Sequence, residues 1–165
     1  MDPYSAVSWS PVFSALVGAS ASLTGLLFVS LSINLNHVIK EPGLVGRAVE
    51  VLVLLISTLI LSGLLLMPGQ DGGGTAIETL AVALLEAAVL ALIHIRAPRR
   101  ALGLSAPMFA MRIAGAQSGP VLLLVGGVSL LAQNGGGLYW VVPAMLAAMV
   151  AAIIGAWVML VEIVR

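Results

Sequence analysis

Every basic residue of this chain can be placed on one side of a membrane. Hydropathy divides the 165 residues into five apolar stretches, Ser8–Leu35, Val45–Met67, Thr75–Ile95, Arg112–Ala132 and Leu138–Val164. Each is long enough to cross the hydrocarbon as a helix, which takes about 20 apolar residues. Lys40 and Arg47 flank the first connection. Arg96, Arg99, Arg100 and Arg112 bracket the third, residues 96–111, and Arg165 ends the chain. The N-terminal segment and the second and fourth connections carry no Lys or Arg. The positive-inside rule then predicts an external N-terminus and a cytoplasmic C-terminus. An arbitrary division into helices would seldom produce so clean an alternation.

Composition agrees. The chain is 61% hydrophobic and 8% charged, whereas soluble domains carry about a quarter charged residues. Five spans with short connections use nearly the whole length, so residues 1–165 are expected to form a single all-α transmembrane bundle. The first stretch lacks a basic n-region and is too long for an h-region, so it is read as a retained span rather than a cleaved signal. Arginine outnumbers lysine six to one among the seven basic residues. That balance, with abundant Ala and Gly, suggests a bacterial chain, and the expected location is the bacterial cytoplasmic (inner) membrane.

Several function classes lose support at once. The net charge is zero and no basic run occurs, so nucleic acid is not an expected partner. Cysteine is absent, which excludes disulfides and thiolate chemistry. His37 and His94 lie on different stretches without metal-ligand spacing. Gln117-Ser118-Gly119 does not reproduce the Gly-x-Ser-Gly of rhomboid proteases, and no phosphate-binding or dinucleotide motif is present. No enzyme activity, metal or cofactor is expected.

The candidate chemistry lies at mid-membrane. Glu86 falls near the middle of the third stretch. An ionised carboxylate at that depth costs about 2.5–3.5 kcal/mol on insertion scales, so the neutral acid is the expected form. The same depth holds Ser57 and Thr58 of the second stretch and Ser20, Ser22 and Thr24 of the first. Together they predict a hydroxyl belt around one carboxyl, an ion or proton site, unless the acid only fixes helix register. Glu78 lies eight residues earlier, rotated by about 80°. It is read as an outer mouth or as an exposed interfacial charge. Asn34, Asn36, His37, Arg47, Glu50, His94, Arg96 and Arg112 gather at the cytoplasmic ends, where Arg47, Arg112 or Arg96 can pair with Glu50. That cluster reads as an anchoring network, a gate or an anionic-headgroup site. Glu162 and Arg165 form a further expected pair.

Small residues predict packing. Ser14, Gly18 and Ser22, with Ala15, Ala19, Ala21 and Gly25, mark the first stretch as the most tightly packed helix. Gly115-xxx-Gly119 marks a face of the fourth, and Pro120 is a candidate kink. The Leu/Ile/Val-rich second stretch is expected to have the most lipid contact. Basic and apolar residues alternate over 97–111, which suits a short interfacial helix interrupted by Pro107. Tyr4, Trp9, Tyr139 and Trp140 are placed at one outer interface. Two turns look alike, Gln70-Asp-Gly-Gly-Gly74 and Gln133-Asn-Gly-Gly-Gly137, which raises a duplicated hairpin as one origin.

The stretch Gly18-Ala-Ser-Ala-Ser-Leu-Thr-Gly-Leu-Leu-Phe-Val-Ser-Leu-Ser-Ile-Asn34, and loosely the Pro68-Gly69-Gln70 turn, resembles the opening helix of a family of small bacterial multi-pass membrane proteins. Some of its members carry the label "modulator of FtsH protease". That resemblance implies an accessory or regulatory subunit of a larger membrane complex, such as a membrane protease. The residues themselves favour an oligomeric channel- or transporter-like protein with Glu86 as its polar site. Membrane lipids and copies of the chain, or a larger complex, are the expected partners.

Overall fold

A computed structural model describes residues 2–96 and 105–164, apart from the side chains of Pro42 and of residues 162–164. It is 87% helical, with no strand among the described residues. A 3-10 turn, Ala6–Trp9, leads into α1, Ser10–Ile33. A single-turn α2, Leu35–Val38, follows, then α3, Pro42–Leu65. Next come α4, Gly72–Arg96, α5, Ala106–Ala132, and α6, Leu138–Val164. Five of these are long and apolar enough to cross a membrane. The protein is a multi-pass membrane protein, and its two faces are named here by sequence: the glycine end carries the two glycine-rich turns, and the basic end carries Lys40, Arg47, Arg96 and Arg112.

Proline places three helix starts. It occupies the first turn of α1 (Pro11), α3 (Pro42) and α5 (Pro107), where its missing N–H costs no hydrogen bond. Pro107 therefore starts α5 rather than interrupting an interfacial segment. Residues 106–111 belong to the span, which is six residues longer than hydropathy suggested. The rest of the proposed interfacial helix, with Pro98, Arg99 and Arg100, lies outside the described residues, as does the Glu162–Arg165 pair.

Helices α3 to α6 form a four-helix bundle in which each packs on its neighbours in sequence and α3 closes the ring against α6. Helix α1 stands outside the ring against α3. This reverses two expectations. The second span, α3, is the most buried, with 50% of its apolar stretch inside, because it touches α1, α4 and α6. The first span is the least buried, at 22%. Gly18 and Gly25 face open space, and Ser22 is exposed.

Close helix approach occurs elsewhere. A Cβ on Gly127 would stand 2.6 Å from Leu80 Cγ of α4, and one on Gly126 2.7 Å from Val141 Cγ2 of α6. One on Gly119 would meet Ala148 Cβ at 3.1 Å, while Gly115 has open space around it. The Gly115-xxx-Gly119 face is thus split: Gly119 packs and Gly115 does not. Pro120 is buried within α5.

The N-terminal segment is fastened to the last turn. Pro3 O accepts from Leu138 N at 2.9 Å, and Tyr4 Oη accepts from Gly136 N at 3.1 Å. Trp9 donates from Nε1 to Asp2 O at 2.9 Å and meets Tyr139 edge-on, with centroids 4.9 Å apart. The four aromatic residues assigned to one interface do share one end.

The two glycine-rich turns, alike in sequence, differ in backbone. Gly72, Gly73 and Gly74 form the first turn of α4, capped by Asp71 Oδ1, which accepts from Gly74 N at 2.7 Å. Gly135, Gly136 and Gly137 instead take φ of +89°, +106° and +47° after a left-handed Gln133. Glycine tolerates those values without steric cost.

Candidate functional site

The core is split along the membrane normal. One apolar cluster gathers Trp9, Phe13, Leu61, Ala83, Leu130 and Met145 toward the glycine end. A second gathers Leu27, Leu54, Leu55, Leu90, Ala116 and Met159 toward the basic end. On α4 the division falls between Ala83 and Leu90, and on α3 between Leu55 and Leu61. Glu86 lies in the first gap, and Ser57 and Thr58 lie in the second. On α3 and α4 polar residues therefore lie where the two apolar clusters meet, whereas on α6 Ala148 and Met149 bring the clusters side by side.

Glu86 is 3% exposed. Its carboxyl lies beside the Ser57 hydroxyl, and its Oε1 has no hydrogen-bond partner. Ser57 directs its own proton at Val53 O, one helical turn back. Thr58, also buried, donates to Leu54 O at 2.9 Å. Backbone carbonyls absorb these protons because a hydroxyl inside an apolar bundle must donate to something nearby.

Thr75, Thr79 and Glu86 share one face of α4, since four and eleven residues return the helix to within about 40° of its starting direction. All three are buried. Thr79 donates to Thr75 O at 2.8 Å. Thr75 donates to Asp71 O at 2.9 Å and reaches Gln70 Oε1 at 3.2 Å. Gln70 Nε2 in turn donates to Glu78 Oε2 at 2.7 Å. A recess of 430 Å³ at the glycine end is lined by Tyr4, Ser10, Gln70, Asp71 and Thr75. Glu78 is half-buried and held by Gln70, so it is part of a turn network rather than a bare surface charge.

At the basic end Glu50 is the hub. Arg112 of α5 approaches one carboxylate oxygen with Nε at 3.0 Å and Nη2 at 2.5 Å. His94 of α4 brings Nε2 to 3.5 Å of the same oxygen, within ion-pair range but outside hydrogen-bond geometry. The Phe109 ring meets His94 edge-on at 6.5 Å. Arg96 is exposed, so Arg112 is the interhelical partner. Asn34, the C-cap of α1, donates its side-chain amide to Ser30 O at 3.0 Å, and the exposed Asn36 and His37 lie on α2. Beside the triad a cleft of 380 Å³ runs between α5 and α6, lined by Arg47, Glu50, Arg112, Gly115 and Gly155 among others. Gly115 borders this cleft and not a helix contact.

The structure thus joins Glu86 with Ser57, and Glu50 with His94 and Arg112. It does not bring Ser22 or Thr24 to Glu86. Both donate to carbonyls of α1 itself, Gly18 O and Ser20 O, and α1 sits outside the ring. Buried Thr79 was not singled out by the sequence, although the spacing from Thr75 through Thr79 to Glu86 was readable, and buried Ser62 was legible only as a break in an apolar run. Ser62 Oγ lies 3.8 Å from Met145 Sδ of α6. Gln117, read in the sequence only against a protease motif, brings Nε2 to 3.5 Å from Ala87 O, one residue past Glu86. The described residues hold no group of three or more His, Cys, Asp or Glu that could bind a metal ion. No protein-family model, curated protein or solved structure matches this chain.

Proposed function

We propose that this protein is a small ion-transporting membrane protein, of channel or transporter type, whose site is the carboxyl of Glu86. The observation that carries the reading is the unpartnered Oε1 of a carboxyl that is almost wholly buried between two apolar clusters. A carboxyl kept only for helix register is best served by full hydrogen bonding, because an unsatisfied buried acceptor costs about 1–3 kcal/mol. Buried acids inside a membrane mark ion and proton pathways more often than they mark structural contacts. The glycine-end recess with Gln70 and Thr75 serves as the entry, and the Glu50–Arg112–His94 triad closes the other end.

The orientation in this reading follows the basic residues: glycine turns outside, basic end in the cytoplasm, in a bacterial inner membrane. The test is ion flux into liposomes holding the purified protein, compared with Glu86→Gln.

A second reading has its own observation. Gly18, Ser22 and Gly25 present a small-residue stripe on α1, where Ser22 is exposed and no described residue comes within 4 Å of a Cβ placed at either glycine. Small residues in lipid permit close helix approach, so α1 offers a face to another copy or to a larger membrane complex. On that reading the protein is an accessory subunit, as the likeness of this same helix to the protease-modulator family implies. Co-purification of a larger complex, lost in Gly18→Leu, is its test.

A further inference from the structure

Hydrogen-bond bookkeeping at Glu86 narrows the ion. A serine hydroxyl has one proton, and Ser57 directs its proton at Val53 O. The oxygen that meets the Glu86 carboxyl can then only accept. The neighbouring hydroxyls behave alike: Thr58 donates to Leu54 O and Thr79 to Thr75 O. None of these three hydroxyl protons is directed at Glu86.

An ionised carboxylate is acceptor-only, and the buried Oε1 has no donor within hydrogen-bond reach. Among the described residues no fixed cation compensates. On α4, Glu78 and His94 are each eight residues away, roughly 12 Å by helix rise. On α3, Arg47 and Glu50 stand toward the basic end. On α5, Arg112 is bound to Glu50, and Gln117 Nε2 directs one of its two N–H groups at Ala87 O. Neither α1 nor residues 138–161 of α6 contain an acid or a base. A metal cation is no better served, since hard cations demand a shell of several oxygens. One carboxyl with one hydroxyl beside it falls short of that.

A neutral carboxyl fits every contact. Its O–H supplies the donor that Ser57 Oγ lacks, and its carbonyl oxygen can stay unpaired at less cost than a charged one. We propose that the ion taken at Glu86 is a proton, held on the carboxyl and shared with the Ser57 oxygen, and that metal cations have no site there. As the identity of a transported ion this rests on the transport reading above; as the occupancy of the site it does not.

The deciding experiment is infrared spectroscopy of the protein in lipid at neutral pH, with glutamate carbonyls isotope-edited. A protonated-acid carbonyl band is expected in the native protein, absent in Glu86→Gln and unchanged when sodium replaces choline in the buffer. In Ser57→Ala the band should persist and move to higher frequency, because its hydrogen-bond acceptor is gone. That variant keeps the decision open if the glutamine variant fails to fold. Absence of an acid band, its loss on adding sodium, or a band unmoved in Ser57→Ala overturns the proposal. An acid band without any flux keeps the protonated site and removes the transport reading. Flux that depends on Glu86 without an acid band does the reverse.

Discussion

Arg112 on α5 grips Glu50 on α3 through two nitrogens that converge on one carboxylate oxygen, at 3.0 and 2.5 Å. Both side chains are about nine-tenths buried, at 10% exposure each. Removing one partner leaves the other charge buried and uncompensated, which typically costs about 3–5 kcal/mol. Arg112→Gln and Glu50→Gln should each lower the unfolding midpoint in detergent sharply, while the double variant should lose less than the two singles added. Additive losses would show that the two residues are not energetically coupled.

Close packing separates Gly126 and Gly127 of α5 from Gly115 on the same helix and Gly18 on α1. Leu80 leaves no room for a side chain at Gly127, and Val141 leaves none at Gly126. Gly127→Val should cost at least the roughly 1–3 kcal/mol of an overpacked core, read as lost folded yield and a lower melting temperature. Gly115→Val and Gly18→Val, which face open space, should leave the monomer's melting temperature nearly unchanged. Equal damage in all three variants would contradict the packing described.

The N-terminal staple predicts a graded pair of effects. Tyr4→Phe deletes the acceptor for Gly136 N and should cost about 1 kcal/mol, the usual net worth of one hydrogen bond. Trp9→Ala removes a buried ring packed on Tyr139 and should cost about 3–5 kcal/mol. Thermal unfolding of the two variants checks the order. A larger loss from Tyr4→Phe than from Trp9→Ala would mean that the turn, and not the aromatic packing, holds this end.

The span pattern was legible because hydropathy and length suffice for it, down to the same ends for α6. The depth of Glu86 and Ser57 was legible for the same reason. Direction around the helix axis was not. Ser22 and Thr24 share the depth of Glu86 but belong to a helix outside the ring, and nothing in a uniformly apolar α1 says which face turns inward. Small-residue spacing had the same limit: it marked Gly18 and Gly115, which face open space, as readily as Gly119, which packs. The two glycine triplets show how identical residues serve opposite backbones. Asp71 caps a helix that Gly72 has already begun, whereas Gln133 turns left-handed and leaves the glycines in a loop. Pro107 misled because proline blocks a helix interior yet suits its first turn.

The orientation can be checked directly. Reporter fusions after Asp71 and after Gly136 should read external, and fusions after Pro42, Ser105 and Arg165 cytoplasmic, since all seven basic residues then lie inside. A reversed reporter at Ser105 would break the assignment, because four of those residues flank that connection.

The central claim is that the Glu86 carboxyl is the site through which ions pass, and flux through purified protein in liposomes measures it. Native protein and Glu86→Gln should be compared at matched insertion and matched melting temperature, so that chemistry and fold are separated. Glutamine keeps the shape and can still donate to Ser57, but it cannot give up and retake a proton. The account predicts pH-gradient-driven flux in the native protein and a fall to the level of empty liposomes in Glu86→Gln. Flux that persists unchanged in a folded Glu86→Gln variant would contradict it.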